Sequence, residues 1–98
     1  MMNVSYSSLN HRPLFPLGRV MATPGVLEAV PHSSITAALA RHQSGDWGKL
    51  PVPDLKMNDR AVHLQECILS SYVAAGTKFW IITEADRSVT TILLPSEY

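Results

Sequence analysis

The sequence predicts an α+β domain, in which two or three short helices pack on an antiparallel sheet of three or four strands centred on a C-terminal meander. Three features predict it. The last third alternates β-branched and aromatic residues, the middle third repeats apolar residues at helical spacing, and prolines and single glycines punctuate the joins.

Size and composition bound the architecture. Ninety-eight residues, 46% hydrophobic and 16% charged, are too apolar for a disordered tail and too sparsely charged for a coiled coil. At this mass folding buries roughly 65% of the chain surface, enough for one modest core. A flexible arm is expected over residues 1–12, polar and aperiodic before Pro13 and Pro16, and a single domain over residues 13–98.

The elements follow in order. Leu17 to Ala22 favours a short strand that can take an edge position in the sheet. Thr23-Pro24 reads as an N-cap followed by the N1 proline of a helix running to Val30, with Pro31 ending it. Ser33 or Ser34 is expected to cap a second helix. Its Ile35, Ala38, Leu39 and His42 fall at i, i+3, i+4 and i+7, and Gly45 is its stop. Leu55 to Gln65 predicts a third helix opened by Asp54, with Met57, Ala61, Leu64 and Ile68 along its buried stripe. Cys67 to Ala74, Thr77 to Thr83 and Ser88 to Leu94 then read as three strands. Gly76 lies in the first connection and Glu84 to Arg87 form a hairpin loop. Both alternating sets of the middle strand are apolar, so Trp80, on the nominally outer face, is expected to need cover from a helix, the N-terminal segment or another chain.

Charge and cysteine content restrict function. Eight basic and eight acidic residues cancel, which removes the broad basic footprint of a nucleic-acid binder and the acidic surface of a nucleic-acid mimic. With Cys67 as the single cysteine, no intramolecular disulfide or cysteine-rich zinc cage forms, which fits a reducing compartment. No signal-type apolar segment opens the chain and no run approaches the ~20 residues that span a bilayer, so a cytoplasmic protein without a membrane partner is expected.

Candidate sites are few. His11, His32, His42 and His63 lack the i, i+4 spacing of helical metal ligands, so neither a metal nor a cofactor is expected; His42 reads as a helix-end residue and His63 as a helix-side residue. Cys67, opening an apolar strand, reads as a small core residue. The five glycines sit singly and build no phosphate cradle. Two loops remain. Gly45-Asp46-Trp47-Gly48 frames a carboxylate and an indole that could anchor a partner, or an indole folded back onto the sheet. The hairpin tip gathers Glu84, Asp86 and Arg87. Asp46, Trp47, Glu84, Asp86 and Arg87 are therefore the expected partner contacts. The enzymatic alternative is a toxin-like ribonuclease with His42 or His63 as base and Arg60 or Arg87 on the phosphate.

Three segments, Pro13 to Gly25, Leu39 to Gly48 and Gly76 to Tyr98, resemble a family of small bacterial proteins carried on plasmids and other mobile elements. Gln65-Glu66 stands where those relatives have a glycine, and Val30 to Ser34 also departs from their pattern. The resemblance implies an accessory protein of a mobile element. Its partner would be a host or defence-system macromolecule, bound in the manner of an anti-CRISPR or antirestriction inhibitor. A homodimer, formed through the exposed sheet edge or the second sheet face, is compatible with this.

Overall fold

The computed structural model describes residues 12–98. The arm expected over residues 1–12 and His11 thus fall almost wholly outside the described residues. Within them the order is β1 (Arg19–Ala22), α1 (Pro24–Ala29), α2 (His32–Gln43), α3 (Val52–Leu64), β2 (Ile68–Ala74), β3 (Thr77–Thr83), β4 (Val89–Leu93) and a final 3₁₀ turn (Pro95–Glu97). The four strands form one sheet in the order β1-β4-β3-β2. The fold is α+β, as expected, with one correction to the sheet. β2, β3 and β4 form the antiparallel meander, whereas β1 joins β4 in parallel, Arg19 beside Val89 through Ala22 beside Ile92. The chain reaches that edge about seventy residues before β4, and α1 to β3 intervene, so no hairpin dictates the direction of pairing.

Local signals place the first helix. Thr23 is extended and its hydroxyl accepts the Val26 amide at 3.4 Å, while Pro24 occupies the first turn, where its missing amide costs no hydrogen bond. Helix α2 begins earlier than its serines suggest. Pro31 is its N-cap, so Ser33 and Ser34 lie in the first turn instead of capping it; Gly45, at φ +91°, ends the helix as expected. α3 likewise starts at Val52 after an N-cap at Pro51, with Pro53 in the first turn. It ends at Gln65, left-handed at φ 55°, a conformation that glycine adopts most readily. Ala75 and Gly76 both have positive φ, the condition for a two-residue turn that matches the twist of the β2–β3 hairpin.

One sheet face is covered by helices. Val26 and Val30 from α1 and its end, with Ile35 and Ala38 from α2, pack on Tyr72, Phe79, Ile81 and Ile92. A second cluster joins Phe15, Trp47, Ala61 and Ile68 where α3 meets the sheet. The opposite face of β3 carries Trp80, which meets Tyr98 edge to face at 5.8 Å, so the C-terminal turn supplies part of the cover that the sequence assigned elsewhere. The predicted stripe of α3 is rotated. Asn58 and Ala61 are buried, whereas Met57 and Leu64 are 66% and 57% exposed. Asn58 explains the rotation: its amide donates to the Leu69 carbonyl at 2.6 Å and its oxygen accepts the Leu69 amide at 3.4 Å, so a polar side chain closes the free edge of β2. Cys67, expected in the core, is exposed just before β2.

Candidate functional site

The two loops singled out by the sequence are both built into the fold. After α2 the chain turns at Gly45 and lies along the outer edge of β2. There the Trp47 carbonyl accepts the Ser71 amide at 3.1 Å and the Lys49 amide donates to the Ser71 carbonyl at 2.7 Å. Gly48, at φ +74°, sits so close to the Ser71 carbonyl that a Cβ would collide with it. This strap carries Trp47 inward. Trp47 is 3% exposed, stacks on Phe15 at 6.2 Å, and donates its indole N–H to Asp59 Oδ1 at 2.8 Å. It is a core residue and not an exposed anchor.

Asp46 is exposed but committed to its neighbours. Arg41 donates to both its oxygens, at 2.7 and 3.2 Å, and the Asp46 carbonyl accepts the Tyr72 hydroxyl at 2.7 Å. The Arg41 guanidinium holds the Asp46 carboxyl below the usual carboxylate range. Burial pushes the Tyr72 phenol up to about 12.

Arg87 is folded back from the hairpin tip. At φ 62° its backbone turns the chain, and its guanidinium donates to the carbonyls of Ala61 at 2.9 Å, Glu66 at 2.7 Å and Glu84 at 3.2 Å, over the Phe15 ring at 5.3 Å. A cation thus closes the carbonyl end of α3 and ties it to the start of β2 and to the β3–β4 loop. Replacing Arg87 with alanine is expected to lower the unfolding free energy by about 1–2 kcal/mol, because the part-buried Ala61 carbonyl and the exposed carbonyls of Glu66 and Glu84 lose a charged partner. Lysine should restore less than half, having no planar fork. Urea titrations of the three proteins would measure this, and an unchanged midpoint for the alanine variant would mean that the clasp carries no load. Of the three charged residues at the tip, Glu84 and Asp86 remain exposed. Asp86 accepts the Ser88 amide and hydroxyl, and the hydroxyl bond draws its pKa down.

The candidate catalytic groups do not form an accessible site, because His42 is enclosed. His42, instead of capping its helix end, is fully buried between Phe15 and Trp47. Its Nδ1 lies 2.5 Å from Ser70 Oγ and its Nε2 lies 2.8 Å from Thr83 Oγ1. Thr83 in turn lies 2.7 Å from Thr90, whose hydroxyl donates to the Leu17 carbonyl at 2.7 Å. Proton counting fixes every role in this chain. Because Thr90 gives its proton to a carbonyl, Thr83 must donate to Thr90 and therefore accept from His42 Nε2–H, leaving Nδ1 to accept from Ser70. Burial, aided by the Arg87 cation, lowers the imidazole pKa to about 3. The imidazole is thus neutral and enclosed, a poor base for a bound RNA. His63 is exposed on α3, and Arg60 pairs with Glu66 at 3.6 Å.

One concave surface stands outside this machinery. Between α3 and the edge of β2 lies a cleft of about 310 Å³, lined by apolar Leu50, Met57, Ala61 and Leu69 with Asp54, Asn58, Glu66 and the Cys67 thiol. Partial burial pushes that thiol pKa up. Met57, on the wall of the cleft, is exposed along α3 together with Pro53 and Leu64, and Val52 at its start is 62% exposed. The sequence marked Met57 and Leu64 as core, so the signal was present but assigned to the wrong side of the helix.

Fold and site together define a small α+β domain whose internal polar groups are spent on its own architecture and which exposes apolar side chains on α3, Val52, Met57 and Leu64, and on β1, Val20 and Met21. No family model, curated protein or solved structure matches this chain. Among the described residues no helix is long and apolar enough to cross a membrane.

Proposed function

We propose that this protein is a non-enzymatic binding protein, an accessory of a mobile genetic element that engages a host or defence-system protein as an anti-CRISPR or antirestriction inhibitor does. The observation that supports binding is the exposed Met57 on the wall of the α3 cleft, with Leu64 exposed further along the helix, apolar side chains that a helix normally turns inward. The cleft lining favours a protein over a nucleic acid. Its lining contains two carboxylates and no basic residue; Glu66 is paired with Arg60, and Asp54 is left to attract a lysine or arginine beside an apolar side chain. The genetic setting rests on the resemblance noted above. Of the contacts expected from sequence, Glu84 and Asp86 remain exposed at the other end of the Arg87 clasp, while Asp46, Trp47 and Arg87 serve the fold.

Plating efficiency tests this reading. Cells with an active restriction or CRISPR system would be challenged with phage while expressing the wild type or a Met57→Asp/Leu64→Asp variant. The wild type should raise plating at least tenfold and the variant should not, although both fold. No protection in any such background, or equal protection by the variant, overturns the proposal.

A further inference from the structure

The two edges of the sheet are finished differently. The β2 edge is closed by the strap at Ser71 and by Asn58 at Leu69. Along β1, the Arg19 amide turns inward to the Ser88 carbonyl at 2.9 Å and the Thr23 amide to the Ile92 carbonyl at 3.0 Å. Alternation in a parallel ladder therefore points the amides and carbonyls of Val20 and Ala22 outward. No described residue is recorded as pairing with them, and Val20 and Met21 are 44% and 48% exposed.

We infer that β1 is a self-pairing edge, joining antiparallel to β1 of a second copy about a two-fold axis at Met21. The strand is complementary to itself in this register. Val20 stands opposite Ala22 of the second copy, and the two residues exchange both backbone hydrogen bonds, once on each side of the axis. The charges also match. Arg19, the single charged residue of β1, falls opposite Thr23 of the second copy, and register places Arg19, Met21 and Thr23 on the sheet face away from the helices. The Thr23 hydroxyl donates to Glu97 Oε1 at 2.5 Å, and the Gly25 amide donates to Oε2 at 3.1 Å. Each copy thus offers a fixed carboxylate where the other brings a guanidinium, and the two Arg19 residues stay four residues apart in register. A foreign peptide strand would satisfy the same backbone groups, but only a second copy supplies this reciprocal pair. Assembly stops at two copies because the β2 edge is covered at Leu69 and Ser71, leaving only its Val73 end open. With four residues per strand the contact is small, so the dimer is reversible.

Sedimentation velocity between about 10 µM and 1 mM, at a pH near 7, should show a shift from monomer to dimer. Val20→Pro removes only an outward amide and should weaken association at least tenfold with an unchanged circular dichroism spectrum. Cysteine pairing reads the register. In a Cys67→Ser background, Met21→Cys sets two thiols opposite one another at a Cα separation of about 4.5 Å, within disulfide reach, whereas Val20→Cys does not. Oxidation should therefore dimerise the Met21→Cys protein at least tenfold faster. A monomer at every concentration, or equal crosslinking by the two variants, overturns the inference.

Discussion

Between pH 7 and pH 5 the domain should lose about 2 kcal/mol of stability through one imidazole, and by pH 3 about 4 kcal/mol. In the unfolded chain His42 takes up a proton as the pH falls through its ordinary 6.5; in the folded protein burial withholds that proton until about 3. Across this window the unfolded state binds more protons, so acid draws the equilibrium toward it, and the stability present above 6.5 is lost as the pH falls. Carboxylates add to the same trend only lower on the scale. Arg41 holds Asp46 down, and bonds to Ser88 and Thr23 do the same for Asp86 and Glu97, so these begin to contribute below about pH 4.5. Urea titrations at pH 7, 6 and 5 isolate the imidazole. His42→Gln, whose amide can accept from Ser70 and donate to Thr83, should abolish the slope in that range. Nitrogen chemical shifts should show the Nε2–H tautomer persisting at pH 5. A stability that stays flat from pH 7 to 5 in the wild type would contradict the buried neutral imidazole.

Much of the fold was legible because much of it is local. Thr23-Pro24 caps a helix within three residues, Gly45 ends one, and the two apolar sets of Thr77 to Thr83 mark a central strand without reference to the rest of the chain. What escaped the sequence depends on partners far away in it. The parallel direction of β1 is decided by contacts with β4 about seventy residues on. Spacing puts His42 in line with Ile35, Ala38 and Leu39, but its position at a helix end suggests a cap, and its actual role is set by Ser70 and Thr83, 28 and 41 residues later. The phase of α3 was misread because an apolar count passes over Asn58, whose amide is worth burying only beside an unpaired strand edge. That one residue leaves Met57 and Leu64 exposed, so the same long-range pairing that hid the true helix face also created the surface proposed for binding. Arg87 shows the converse. Its charge at a hairpin tip suggested solvent, yet its positive φ and long stem bring it back to the open carbonyls of α3.

Replacing Trp47 with alanine should cost about 3–5 kcal/mol, as for other buried large aromatics, and should leave the protein marginally folded or unfolded at 25 °C. The indole is buried against Phe15 and His42, and its N–H is held by Asp59 of α3. Its removal opens a cavity beside the imidazole, leaves a carboxylate without its donor, and frees the strap that closes the β2 edge. Phenylalanine keeps much of the volume but not the N–H, so Trp47→Phe should cost about 1–2 kcal/mol. Water admitted to the cavity would also hydrate His42 and let it titrate nearer its ordinary value, so the slope between pH 7 and pH 5 should flatten in the phenylalanine variant. Thermal unfolding at pH 7 and at pH 5 measures both effects at once. A surface anchor behaves differently: both variants would unfold at the wild-type temperature and lose only a partner. Wild-type stability in Trp47→Ala would therefore mean that the strap does not carry its indole into the core, and the assignment of Trp47 to the fold would fail with it.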